Sequence, residues 1–174
     1  MSAIGFRSLA LLAAAALCPV WSAAAATYRH PLGVFSVPLP PGWTGKTGAI
    51  TNVDLSTAGN AYGSIDILPP DRATEFKDRF LKMWKLGYKV QSSGNVRVNG
   101  VTGTYQIVRA LDSGTRADTV IRIVIAPAGT ASVLMILICP VAEWDRWKAS
   151  FATIEHGLRF VTFGEKAAFT PLPQ

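Results

Sequence analysis

The chain is poor in the side chains that most often do chemistry. Among 174 residues there are only two cysteines and two histidines. Cys18 lies in an N-terminal apolar segment and Cys139 ends a later apolar run, so removal of that segment leaves one thiol and no intramolecular disulfide. The folded domain must then be held by its core. Cys139 reads as a small buried hydrophobe rather than a nucleophile. His30 falls near the expected mature N-terminus and His156 on the outer face of a predicted helix. Both are expected to be solvent-exposed, and neither stands at metal-ligand spacing from Cys, Asp or Glu. No Gly-x-Ser-x-Gly elbow occurs. Gly45-Lys46-Thr47 imitates the end of a phosphate-binding loop, but Pro40 stands where that loop needs its first glycine, and loop and strand rather than helix are expected next. Asp54 and Asp66 fall on neighbouring predicted strands, where solvated hairpin positions explain them as well as acid–base work does. These gaps point away from an enzyme, and they imply no cofactor and no metal.

Acidic residues are also scarce, 11 against 17 Lys and Arg, for a formal net charge of +6. The longest apolar run lies near the N-terminus. Arg7 is the only charge before Arg29, residues 9–20 are apolar, and Ala24-Ala25-Ala26 offers small residues for cleavage. Residues 1–26 therefore read as a secretory signal peptide. The uncharged stretch 8–28 is also long enough to span a bilayer if uncleaved. Leu17 before Cys18 argues against a lipid-modified cysteine. The expected map is a signal at 1–26, one α+β domain at 27–163 and a mobile tail at 164–174, in the periplasm or secreted. Export removes nucleic acid as the usual partner of a basic protein.

The pattern within the domain is organised around residues 131–160. Residues 133–139 are apolar at every position between Gly129 and Pro140, the mark of a strand buried on both sides. The helix after it repeats Trp144, Trp147, Phe151, Ile154 and Leu158 on one stripe, with Asp145, Arg146, Ala149, Thr153 and His156 opposite. Earlier, Val34, Phe35 and Val37 read as a short strand ending at the proline corner 38–41, and Trp43 is expected to fold back onto the core. A hairpin is expected around Val53, Leu55, Ile65 and Ile67. A helix is expected over 73–86, capped by Asp71 or Thr74, with Phe76, Phe80 and Met83 inward and Trp84 at the border. An antiparallel meander then runs from Tyr88, with Asn99-Gly100 as its clearest turn. In the strand at 116–126, Ala117, Thr119, Ile121, Ile123 and Ile125 share one face. Arg116, Asp118, Val120, Arg122 and Val124 share the other, which suggests a partly wet sheet back.

The basic balance supplies the binding candidates. On the first helix, Glu75 can meet Arg79 and Asp78 can meet Lys82, four residues apart in each case. Lys77, Lys85 and Lys89 stay unpaired by that test. With Arg116 and Arg122 they form a candidate patch for an anionic lipid, a polysaccharide or an acidic protein.

The layout resembles the PsbP-like α/β/α sandwich superfamily, and is similar to small exported bacterial DcrB-like proteins. The resemblance is carried by residues 35–43 (FSVPLPPGW), by the ILPP-to-helix passage with Phe76, Phe80 and Trp84, by Asn99-Gly100, and by the apolar strand leading into EWDRWKASFATIEHGLRF. It implies an antiparallel meander packed by two main helices and a non-enzymatic binding or assembly role, with no catalytic residues carried over. The leading expectation is an accessory protein of the bacterial cell envelope. It would engage a protein partner or anionic amphiphile through a sheet face or the cleft beside the first helix. The alternatives are a carrier of a small ligand or lipid, with an apolar pocket between sheet and helices, and a hydrolase with an unrecognised site.

Overall fold

The apolar run becomes β9 (Ala131–Pro140), and every residue of it before Pro140 is buried. The computed structural model describes residues 26–48, 52–84, 86–111 and 117–164. The signal-peptide expectation falls on residues 1–25, outside that range, except for Ala26. Most of the expected tail and residues 112–116 also lie outside it.

β9 is central because its neighbours cover both edges. The seven-stranded antiparallel sheet has the order β3-β4-β5-β9-β8-β7-β6. Its other strands are β3 (Trp43–Thr47), β4 (Asn52–Thr57), β5 (Tyr62–Leu68), β6 (Tyr88–Val98), β7 (Val101–Leu111) and β8 (Asp118–Ala128). Asn99 and Gly100 both take positive φ, 50° and 81°, as a tight right-twisted hairpin turn requires. Gly63 lets β5 approach β9: a Cβ there would sit 2.3 Å from the Ile136 carbonyl oxygen. A second sheet pairs β1 (Ala26–Arg29), β2 (Phe35–Leu39) and β10 (Arg159–Phe160), with β2 in the middle. β2 continues through Pro38, past the expected stop. The proline is tolerated because β10 reaches only to Ser36, so no partner on that side asks Pro38 for a donor.

Alternation along β9 divides the interior in two. Met135, Leu137 and Cys139 join the larger cluster, with Val53, Leu55, Ile65 and Ile67. It is closed by α2 (Trp144–Gly157) and by Phe35, Val37 and Leu39 of the small sheet. Trp43 stands edge-on to Trp147 at 5.9 Å and to Phe151 at 6.0 Å, as its expected return to the core requires. Leu134, Ile136 and Ile138 join the smaller cluster under α1 (Pro70–Lys82). Each fully buried aliphatic or aromatic side chain contributes about 1.5–3 kcal/mol.

Further expectations are corrected. α1 begins at Pro70 without a side-chain cap and ends at Lys82. Proline supplies the start itself, its fixed φ and missing N–H suiting the first helical position. Its inner face is Ala73 and Leu81, flanked by Phe80 and Trp84, while Phe76 and Met83 are exposed. The back of β8 is not wet at Arg122, because α2 covers it and supplies Glu155. His30 is buried, 3% exposed, with its ring 5.0 Å from that of Phe35 and its Nδ1 accepting the Leu32 amide.

Candidate functional site

The two faces of the large sheet are covered unequally. Seven strands at about 4.8 Å spacing make a surface roughly 30 Å wide, and a helix with its side chains is only about 10 Å across. The Met135 face has two covers, α2 and the small sheet. Over the Ile136 face lies α1, whose contacts fall on β9, β5 and β8.

Beside α1, part of β6 and β7 therefore stays bare and, with Ile123 and Ile125 of β8 at its inner edge, forms the floor of a cleft of about 340 Å³. Its floor is two cross-strand rows, Ser93–Gln106–Ile123 and Asn95–Thr104–Ile125. Lys77 forms its wall. The Lys77 side chain is 19% exposed and its Nζ lies 3.2 Å from Asp78 Oδ1. A lysine on the inner side of a helix lays its aliphatic stem over the sheet and carries its ammonium to the cleft. The cleft thus joins a cation and four amide or hydroxyl side chains over an isoleucine base. Such a surface can hold polar or anionic groups by hydrogen bonds.

The basic candidates separate. Lys77 lines the cleft and has Asp78 beside it, a partner the four-residue spacing missed. Arg122 lies on the opposite face, where its Nε and Nη2 donate to Glu155 at 2.5 and 2.9 Å. It also sits 4.6 Å from the centre of the Tyr105 ring. Arg122 is thus an interior tether of α2. Lys89 is exposed and pairs in register with Arg109, whose guanidinium holds the Asp118 carboxyl below its ordinary pKa. Lys85 and Arg116 lie outside the described residues. Lys77, Lys89 and Arg122 do not meet in one patch. Of the helix pairs, Glu75–Arg79 forms at 2.5 Å.

The enzymatic motifs are placed as follows. Gly45-Lys46-Thr47 is β3, a paired strand rather than a phosphate loop. Ser64 donates to Asp66 at 3.0 Å, while Asp54 is exposed one strand away. Cys139 is fully buried, and that burial, with the charge of Glu143, pushes its thiol up to about 12. It stays protonated at neutral pH and is a poor nucleophile. Among the described residues no cluster of three His, Cys, Asp or Glu groups gathers to hold a metal, and no helix is long and apolar enough to cross a membrane.

The sequence reading missed the cleft floor. Its signal was present: Ser93, Asn95, Thr104 and Gln106 alternate along two strands, on the face that β8 fills with isoleucine.

No family model matches the chain, and no curated protein matches it. Solved structures do. The cyanobacterial PsbP protein, CyanoP of Synechocystis, superposes with a TM-score of 0.58 at 16% identity, over 82% of this chain and 96% of that one. The chain has the PsbP-like fold. The yeast Ran-binding protein Mog1p of Saccharomyces cerevisiae matches with a TM-score of 0.57 at 11% identity, over 79% of this chain and 95% of its own. LpqN, a Mycobacterium tuberculosis protein involved in cell envelope biogenesis, matches with a TM-score of 0.53 at 12% identity, over 78% and 90%. At such identities the PsbP-like fold is what these proteins share; the cleft chemistry belongs to this chain's own residues.

Proposed function

We propose that the chain is an exported, non-enzymatic accessory protein that binds a protein of the cell envelope through the cleft beside α1. The observation that carries this reading is the bare, polar floor of β6 and β7 with Lys77 at its wall. A face left uncovered within an otherwise well-packed sheet exposes polar groups ready to pair with a partner. The fold supports the reading by analogy, since one protein that shares it is a Ran-binding protein and another takes part in envelope biogenesis. The signal-like segment at 1–26 supports the location.

Photo-crosslinking tests the proposal in the full chain expressed with its own N-terminal segment. A crosslinker at Ser93, on the floor, should capture one defined envelope protein. The same group at Arg146, on the outer side of α2, should not, and Lys77→Glu should abolish the Ser93 product. Equal capture from both positions, or indifference to Lys77→Glu, overturns it.

A carrier reading has one observation in its favour, a cavity of about 590 Å³ at the sheet end near Tyr62, Thr119 and Ile138. Its size falls in the range of small-molecule sites. Native mass spectrometry of the envelope-derived protein decides it: a retained amphiphile mass would move that reading first.

A further inference from the structure

β6 is the outer strand of the large sheet, and no described strand pairs with its free edge. It is 11 residues long and exposed over its first eight positions. One rim of the cleft is therefore a row of unpaired backbone N–H and C=O groups. Resting on the reading of this cleft as the binding surface, we propose that its partner is an extended acidic polypeptide segment that adds to β6 as an eighth strand.

Charge selects that occupant. From Tyr88 to Leu111 there is no aspartate or glutamate, while Lys89, Arg97 and Arg109 are present. The register puts Arg97, opposite Thr102, on the same face as Asn95 and Lys77. The bulge between Val90 and Ser92 turns Lys89, opposite Arg109, to the other face. An added strand thus meets cations on both sides. Edge lysines and bulges ordinarily guard a sheet against unwanted pairing. Here the guard is selective. A second copy pairing through β6 would bring cation to cation with no acid on either strand, whereas an acidic segment is attracted by the same charges. Backbone pairing supplies affinity, and the cleft side chains read alternate residues of the guest.

The test uses the intact protein and a short synthetic peptide alternating glutamate and threonine, followed by amide chemical-shift mapping and calorimetry. Two further peptides carry backbone N-methyl groups, one at the glutamates and one at the threonines, so that each blocks one hydrogen-bonding edge. The expected result is binding that shifts β6 and cleft amides and weakens as salt rises. One N-methylated peptide should bind at least about tenfold more weakly and the other should be little changed. Equal binding by both overturns strand addition but leaves the cleft reading standing. Shifts centred on α2 overturn both. Absence of binding, or equal binding by a lysine–threonine peptide, overturns the acidic-strand proposal, and crosslinking at Ser93 then judges the cleft alone. Self-association through β6, or preferential binding of phosphatidylglycerol vesicles at the same amides, overturns it in favour of a second copy or a membrane.

Discussion

β9 and β6 belong to one sheet, with only β8 and β7 between them. They have nearly equal length, 10 and 11 residues. β9 is apolar on both faces, has a partner on each edge and feeds two hydrophobic clusters. β6 is polar through its middle, has one described partner, and buries only Val98 at its end. The same backbone geometry therefore serves opposite ends. Along β9 burial stabilises the fold, and any change is felt by packed neighbours on two sides. Along β6 the surface is available for recognition, and substitutions should leave the fold nearly intact.

The sharpest way to break that contrast is to truncate an aliphatic residue in each strand. Leu137→Ala in β9 should cost about 2–5 kcal/mol, because the lost transfer energy adds to a cavity that close packing cannot collapse. Val90→Ala in β6, where Val90 is 42% exposed, should cost less than about 1 kcal/mol. Urea denaturation of both variants measures the two. Similar losses would mean that β6 is packed in solution and that the contrast is false.

The next effect lies within the sealed face. Glu155 is 1% exposed, and among the described residues its cationic partner is Arg122. Glu155→Ala should cost about 3 kcal/mol or more, since it strands a largely buried guanidinium. Combining it with Arg122→Met should recover much of the loss, because an apolar pair needs no charge compensation. Failure of the double variant to recover would show that the pair is needed for more than charge balance.

How much of this was legible beforehand depends on what each position asks of its neighbours. β9 and α2 were readable because unbroken apolarity and a three-four stripe each permit one packing arrangement. α1 was misread because Phe76, Phe80 and Met83 recur at spacings of four and three residues and so imitate an inner stripe. The helix instead sits close to the sheet through Ala73 and Leu81, with Lys77 on its inner side, and apolar spacing alone does not reveal which stripe lies down. Arg122 was visible as a charge between Ile121 and Ile123 in an apolar strand, a position that demands a partner. That partner, Glu155, is 33 residues away and next to Ile154, so local spacing could not find it. The cleft depends on strand order, which sets where one helix stops covering seven strands.

A smaller effect concerns the turn that fixes the order of β6 and β7. Asn99 adopts φ 50° and donates from Nδ2 to the Phe160 carbonyl at 2.7 Å, joining the turn to β10. Asn99→Ala should lose that bond and raise the cost of the positive φ, for a total of about 1–2 kcal/mol. Asn99→Gly keeps the backbone at ease and should lose less. Equal losses would assign the whole effect to the hydrogen bond. On the cleft wall, Lys77→Glu loses some stem packing and sets a like charge beside Asp78, so it should cost about 1 kcal/mol and leave the protein folded, while abolishing Ser93 crosslinking. A large stability loss would place Lys77 with the core.

The least effect is a pH dependence on the sealed side. Glu143 accepts from Asn60 Nδ2 at 2.9 Å and from Trp147 Nε1 at 2.8 Å, so it ties the β4–β5 turn to the start of α2. Those two hydrogen bonds, Asn60 first, with Arg146 nearby, hold its carboxyl below the ordinary carboxylate value. A group with a depressed folded pKa contributes stability that is fully present above its unfolded value, about pH 4, and is lost as the pH falls through its folded value. Glu143→Gln removes the titration and leaves one acceptor for two donors. Its deficit against the parent should be constant at neutral pH and shrink on acidification below about pH 4. Asp118 and Glu75 also titrate low in the folded protein, but their contribution is common to both proteins and cancels in the difference. Thermal midpoints of parent and variant across that range measure it. A deficit unchanged down to strong acid would mean that the two hydrogen bonds do not depend on the charge of Glu143, and that the β4–β5 turn is held by Gly59 packing against Trp147 instead.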